Sequence, residues 1–336
     1  MQNGQKGERD TCHMNLIFFD MEGPLSIQDN VYELMKLLPD GDQVLEVISR
    51  YDDLRALEGR DDYEPGDMLA LIIPFLIHHG VTEEDIRGLA ERAAILAGAR
   101  ELIMSLKHWQ VYCISTSYEH YANRIMQRVG IVQENLACTR FPLDRYHSLV
   151  REEDRTIVLA IEREILALKD GDDEAIKRCL DRFFWEELPR TSFGFAHREV
   201  KPMGGRRKAA ALRRFARTHR QFPEQVVVVG DSITDARMLE TVDRAGGLAI
   251  AFNANEYSLP YATVGLASTN ISDLKILLDA WEKGGRMAVE QAIMAQGDKE
   301  EEPLFHWLAG VSDLEEPLQI HQRIRRLVRQ EAGKPG

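Results

Sequence analysis

The sequence predicts an α/β protein: a doubly wound parallel sheet, a helical cap inserted after the first strand, and further helical insertions. Three observations carry this. Short apolar runs rich in β-branched residues recur at 15–20 (NLIFFD), 109–116 (WQVYCIST) and 224–232 (EQVVVVGDS), with a fourth at 246–253 (GGLAIAFN). Such runs suit parallel strands buried on both faces. Helical patterns separate them, as βαβ crossovers require. The first three runs end on polar groups, Asp20, Ser115 and Asp231, at the carboxyl ends where sheets of this kind bind ligands.

The spacing of the strands predicts the rest of the organisation. Residues 21–108, between the first two strands, are far more than one crossover helix needs. They carry helix signals such as NVYELMKLL and TEEDIRGLAERAAIL, the second with Thr82 as N-cap. MLALIIPFLI (68–77) reads as a buried helix despite its proline. A second excursion after the second strand shows apolar residues at three- and four-residue spacing, with KDGDD marking a turn between two helices. The resulting division is an N-terminal tail of 1–13 taken as disordered, and a core of 14–25, 101–140 and 200–272. A helical cap spans 26–100, a second helical insertion 141–199, and a helical C-terminal extension 273–336. The basic amphipathic end of that extension, QRIRRLVRQ, reads as a solvated face.

Composition narrows the function. Apolar residues make up 44% and charged residues 29%, ordinary values for a globular chain. A net charge of -13 argues against nucleic acid as a partner, because no excess of cations is present to displace counterions. It leaves room for a small anionic substrate in a local pocket. The cysteines, Cys12, Cys113, Cys138 and Cys179, form no C-x-x-C pair, which argues against a zinc site and a disulfide framework and suits a reducing, cytoplasmic setting. No run approaches the roughly 18 apolar residues of a membrane span, and the first residues lack the apolar centre of a signal peptide.

Four elements then stand in order: Asp20-Met21-Glu22-Gly23 after the first strand, Ser115 at the end of the second, Lys208 opening KAAALRRF, and GDSITDARML (230–239) after the third. In this order, each at a strand end or helix start, they resemble the haloacid dehalogenase (HAD) superfamily of phosphohydrolases, with a Rossmann-like, phosphoserine-phosphatase-like core. The resemblance covers about residues 15–25, 100–140 and 200–270 and says little about the insertions.

The resemblance implies roles. A phosphate monoester is dianionic and repels a carboxylate nucleophile, so a divalent cation is needed between them. Asp20, Asp231 and the backbone carbonyl of Glu22 are the implied ligands of Mg²⁺, which prefers oxygen donors. Asp20 doubles as the nucleophile and forms an aspartyl-phosphate. Glu22 is the implied acid and base, and it departs from most of these phosphatases, which carry aspartate there. Ser115 offers its hydroxyl to a phosphate oxygen and is preferred over Thr116 and Ser117 because it directly follows the apolar run; Thr116 stays beside it as a substrate contact. Lys208 supplies positive charge to the phosphoryl group, with Lys201, before a proline, as its rival. Asp235 orients Lys208 or a metal-bound water, Ser232 and Thr234 shape the turn, and Gly23 and Gly230 let the backbone approach ion and phosphate. Asn253 and Asn255 are either pocket residues or ordinary loop; His78, His79 and His120 read as structural.

The sequence therefore predicts a Mg²⁺-dependent phosphatase acting on a small phosphorylated metabolite. Two other readings stay open: a non-catalytic regulatory protein on the same scaffold, and a phosphotransferase or mutase. The second insertion is read as an extra lid wall or as a surface for homo-oligomers.

Overall fold

The computed structural model describes residues 14–27, 29–57, 63–168, 172–297 and 301–332. The expected tail of 1–13 lies outside the described residues, as does the KDG of the KDGDD turn. Seven strands form one sheet: β1 (Asn15–Phe19), β2 (Trp109–Tyr118), β3 (Leu136–Thr139), β4 (Val226–Gly230), β5 (Leu248–Phe252), β6 (Val264–Ala267) and β7 (Leu304–Trp307). Their order is β3-β2-β1-β4-β5-β6-β7, parallel throughout except for the last pair. The chain therefore reverses direction across β1, which is flanked by β2 and β4, and a doubly wound sheet opens its ligand crevice at such a switch point.

The central strands are apolar because both faces are covered. Ile17 and Phe19 of β1 and Val227 and Val229 of β4 pack toward one side, while Leu16, Phe18, Val226 and Val228 pack toward the other. The second side is covered by helices Arg206–Thr218 and Ala236–Ala245 through Ala211, Leu212, Met238, Leu239 and Val242. Phe18 stacks on Tyr112 with ring centroids 5.1 Å apart.

The cap helices Asn30–Met35, Gly41–Leu57, Met68–Leu71, Ile73–His78 and Glu83–Arg92 stand between β1 and β2. Thr82 does cap its helix: its hydroxyl accepts from the Asp85 N–H at 3.1 Å. The single buried helix expected over 68–77 is instead two short ones. Pro74 sits in the first turn of the second, where its missing N–H costs least, and the helix ahead of it stops at Leu71.

The second excursion packs onto the cap rather than standing apart. Tyr51 stacks on Phe184 at 6.0 Å and donates its hydroxyl to Asp181 at 2.6 Å, and Arg50 forms a two-pronged ion pair with Asp173. The C-terminal extension is not helical throughout. Leu304–Trp307 adds β7 antiparallel to β6, and helix Glu315–Ala332 then runs back over the sheet, where the Nδ1 of buried His321 accepts from the Ala254 N–H at 3.0 Å. Among the described residues, no helix is long and apolar enough to cross a membrane.

Candidate active site

The parallel register of β1 and β4 builds the site. Phe19 lies opposite Val229, and the ladder continues when the Asp20 N–H donates to the Val229 carbonyl at 2.9 Å. Adjacent strands are about 4.8 Å apart, so acids just past two neighbouring strand ends must meet. Carboxylate oxygens of Asp20, Asp231 and Asp235 lie within 4.8 Å of one another, and all three residues are buried. Ser115, two residues beyond the partner of Phe19 on β2, reaches the same crevice.

Lys208 is fully buried, with Nζ 2.8 Å from Asp20 Oδ1 and 2.7 Å from Asp235 Oδ1. Burial alone would lower its pKa, but the Asp20 and Asp235 carboxylates outweigh it and hold the ammonium above its ordinary range. Lys201 is exposed at the surface. Asp235 spends its other oxygen on the N–H groups of Asp231 (3.0 Å) and Ser232 (3.2 Å). Ser232 and Thr234 pair their hydroxyls at 3.1 Å in the same turn.

Glu22 accepts a short hydrogen bond from the Ser117 hydroxyl. Burial, then Asp29, pushes its pKa up to about 8 against that bond. Asp20 is raised well above the ordinary carboxylate range, first by burial and then by Asp235, with Lys208 opposing. Burial raises Asp231 too, against Arg325. Gly23 has φ +92°, and a Cβ there would fall 2.5 Å from Asp231 Oδ2. Only glycine lets this turn press on the carboxylate.

A cavity of about 230 Å³ opens above these groups, lined by Asp20, Glu22, Gly23, Ser115, Thr116 and Asp231 among others. Ser115 accepts from the Ser117 N–H at 3.1 Å, and the Thr116 hydroxyl donates to the Met203 carbonyl at 3.1 Å. Asn253 uses both ends of its amide on the Ser268 backbone, and the Asn255 N–H donates to the Asp231 carbonyl, so both serve the loop under the site.

The residues fit a hard divalent cation. Asp20 Oδ1 is taken by Lys208 and the Met21 N–H, and Asp231 Oδ2 by Arg325. Asp20 Oδ2 and Asp231 Oδ1 make no hydrogen bond among the described residues, leaving one oxygen of each for an ion of the magnesium type.

Three residue groups at the cavity were not assigned from the sequence. Ser117 reaches the cavity through Glu22, whose carboxylate it holds, and it shares a strand face with Ser115, two residues away. Asp29 and Asp52 line the cavity from the cap. The third group corrects in part the reading of the basic C-terminal end as a solvated face. Arg325 and Arg329, four apart on helix Glu315–Ala332, both line the cavity; Arg325 is half-buried, and Arg329 is exposed, as Arg323 and Arg326 are. Four residues make about one helical turn, so the signal was present, but only the fold shows which face is covered. Arg325 Nη1 lies 2.5 Å from Asp231 Oδ2 and 3.1 Å from the carbonyls of Asp231 and Asn253.

No family model matches the chain. A solved structure of an Archaeoglobus fulgidus gene product is 30% identical, with a TM-score of 0.82 over 96% of this chain and 99% of that one. A curated phosphoserine phosphatase from Archaeoglobus fulgidus is 24% identical over 266 residues. By sequence the chain is similar to that phosphoserine phosphatase. Its fold is shared by a solved substrate-bound phosphoserine phosphatase, at TM-score 0.50 and 18% identity over 78% of this chain and 96% of that one. The match to the curated phosphatase takes in 78% of this chain but only 59% of that relative's length.

Proposed function

We propose that this protein is a Mg²⁺-dependent phosphatase of the haloacid dehalogenase type that hydrolyses a small phosphate monoester through an aspartyl-phosphate on Asp20. The observation that carries the reading is the convergence of Asp20 and Asp231 on one cavity, with Lys208 buried against Asp20 and one oxygen of Asp20 uncommitted.

One carboxylate oxygen of Asp20 attacks phosphorus while the other is left for the ion, and the bond from phosphorus to the leaving oxygen breaks. Its electron pair goes to that oxygen, which takes the proton of Glu22. A carboxyl raised to about 8 holds that proton at neutral pH. Glu22, now a carboxylate, accepts a proton from water as the water attacks phosphorus and frees Asp20. Lys208 and the Ser115 hydroxyl balance charge on the phosphoryl oxygens. Asp235 is a positioning residue that fixes Lys208 and the turn bearing Asp231. Asp20, Asp231 and the Glu22 carbonyl would hold Mg²⁺, which when bound supplies positive charge between the nucleophile and the phosphate dianion. The cap, closed over the crevice, excludes water during the first transfer.

A screen of phosphorylated metabolites with and without Mg²⁺, beside Asp20→Asn, tests this. Release of phosphate that needs Mg²⁺ and is lost by more than about 10³-fold in the variant is the expected result. Transfer to an added alcohol in place of release would make the protein a phosphotransferase. A folded protein inert toward every ester, an activated aryl phosphate included, would remove the proposal.

A further inference from the structure

Resting on the phosphatase reading, we propose that Arg329 binds a second anionic group on the substrate, a carboxylate or further phosphate carried by the leaving group, while Arg325 anchors the helix that presents it. The described cavity wall carries five acids, Asp20, Glu22, Asp29, Asp52 and Asp231, and two cations, Arg325 and Arg329. The two arginines differ in commitment. Arg325 is spent on the Asp231 carboxylate and two backbone carbonyls. Arg329 makes no hydrogen bond among the described residues, although it lines the same cavity as Asp231, Asp29 and Glu22. Asp29 uses its carboxylate to cap helix Asn30–Met35, accepting from the Val31 and Tyr32 N–H groups, and does not bind Arg329.

Position decides what Arg329 would meet. The scissile phosphate belongs on the floor, with Lys208 and Ser115. Glu22 serves the leaving oxygen, and Arg329 shares the cavity wall with Glu22 and Asp29, so it can meet a group that the leaving oxygen carries. An unspent guanidinium there has the planar fork that grips a carboxylate or phosphate with two hydrogen bonds. In a cavity rich in acids it would also be the attraction for an anion that the surrounding carboxylates otherwise repel.

The test uses a hydroxyacid phosphate and the same ester with its carboxylate capped as a neutral methylamide. In the wild type, kcat/KM should favour the acid, and Arg329→Met should reduce the acid-to-amide ratio by roughly 10- to 100-fold. Arg329→Lys should restore part of the ratio, which a purely structural role would not do. Thermal melting checks that both variants fold. If the wild type hydrolyses both esters without preference, or the ratio survives Arg329→Met, the inference is wrong and the phosphatase reading stands. If the folded, magnesium-supplied wild type hydrolyses neither ester nor an aryl phosphate, the phosphatase reading fails first.

Discussion

Glu22 is one methylene longer than the aspartate usual at its place, and its environment fits that length. Its carboxyl reaches the Ser117 hydroxyl on β2, and burial keeps it protonated near neutrality. If it donates the proton to the leaving oxygen, its worth depends on the leaving group. Glu22→Gln is expected to lower kcat/KM for an alkyl phosphate by roughly 10²–10⁴-fold. The loss should be clearly smaller for p-nitrophenyl phosphate, whose phenolate departs unaided. Equal losses on the two esters would rule out that role. At this scale much was legible. Asp20 and Asp231 could be picked from strand ends because strand register fixes where they meet, and Lys208 from the helix start that sets it beside them. The Ser117–Glu22 bond could not, since three adjacent hydroxyls in Ser115-Thr116-Ser117 differ only in where the tertiary structure aims them.

Among elements, the cap is held on the core at the mouth of the crevice. Glu64 accepts from the Arg206 N–H at 3.0 Å, and Asp67 pairs with Arg207 at 2.5 Å. The backbones of the two units touch nearby: a Cβ on Gly204 would fall 1.9 Å from the Pro65 carbonyl oxygen. Gly204→Ala should therefore push the cap outward. Overpacking of this kind costs about 1–3 kcal/mol, and misplaced cap groups should lower kcat/KM by up to roughly 10²-fold. Steady-state kinetics and melting on the same preparation check this; unchanged values would show that cap and core do not meet there in solution. Helix Phe193–Glu199, from the second insertion, adds a pH-dependent contact. Its His197 stacks on Phe184 at 5.6 Å, and burial, then Lys201 and Arg198, lower its pKa to about 4. Unfolded, it would titrate near 6.5. Between these values the unfolded chain binds the extra proton, so acidification costs stability, reaching about 3 kcal/mol at pH 4. His197→Phe lacks that penalty. The variant-minus-wild-type difference in Tm should grow as pH falls from 6.5 to 4 and stay flat above 7. A constant difference across the range would refute the buried neutral imidazole. None of these contacts was readable from periodicity, which reports that a helix has a covered face and not which neighbour covers it.

Across the whole molecule, the net charge of -13 and the two arginines in the cavity belong to one description. The chain repels anions at large and admits one where the C-terminal helix folds back on the crevice. The sheet's central strands were visible as apolar runs because both faces are buried. The short strands β3, β6 and β7, at four residues each, carry too little pattern to stand out. The same holds for the return of the last helix, which depends on β7 reversing the chain first. A shared ion between two strand ends has a consequence for the whole fold. Mg²⁺ should raise the Tm of the wild type, by linkage to the folded state, and raise it less in Asp231→Asn. Equal shifts would place the ion elsewhere.

The central claim is that Asp20 carries the phosphoryl group. Substrate turnover in Mg²⁺, quenched with borohydride, reduces an aspartyl-phosphate to homoserine. Peptide mapping should find homoserine at position 20, formed only when substrate and Mg²⁺ are both present. Steady turnover with position 20 unmodified and the phosphoryl group on another side chain, or on none, would contradict it.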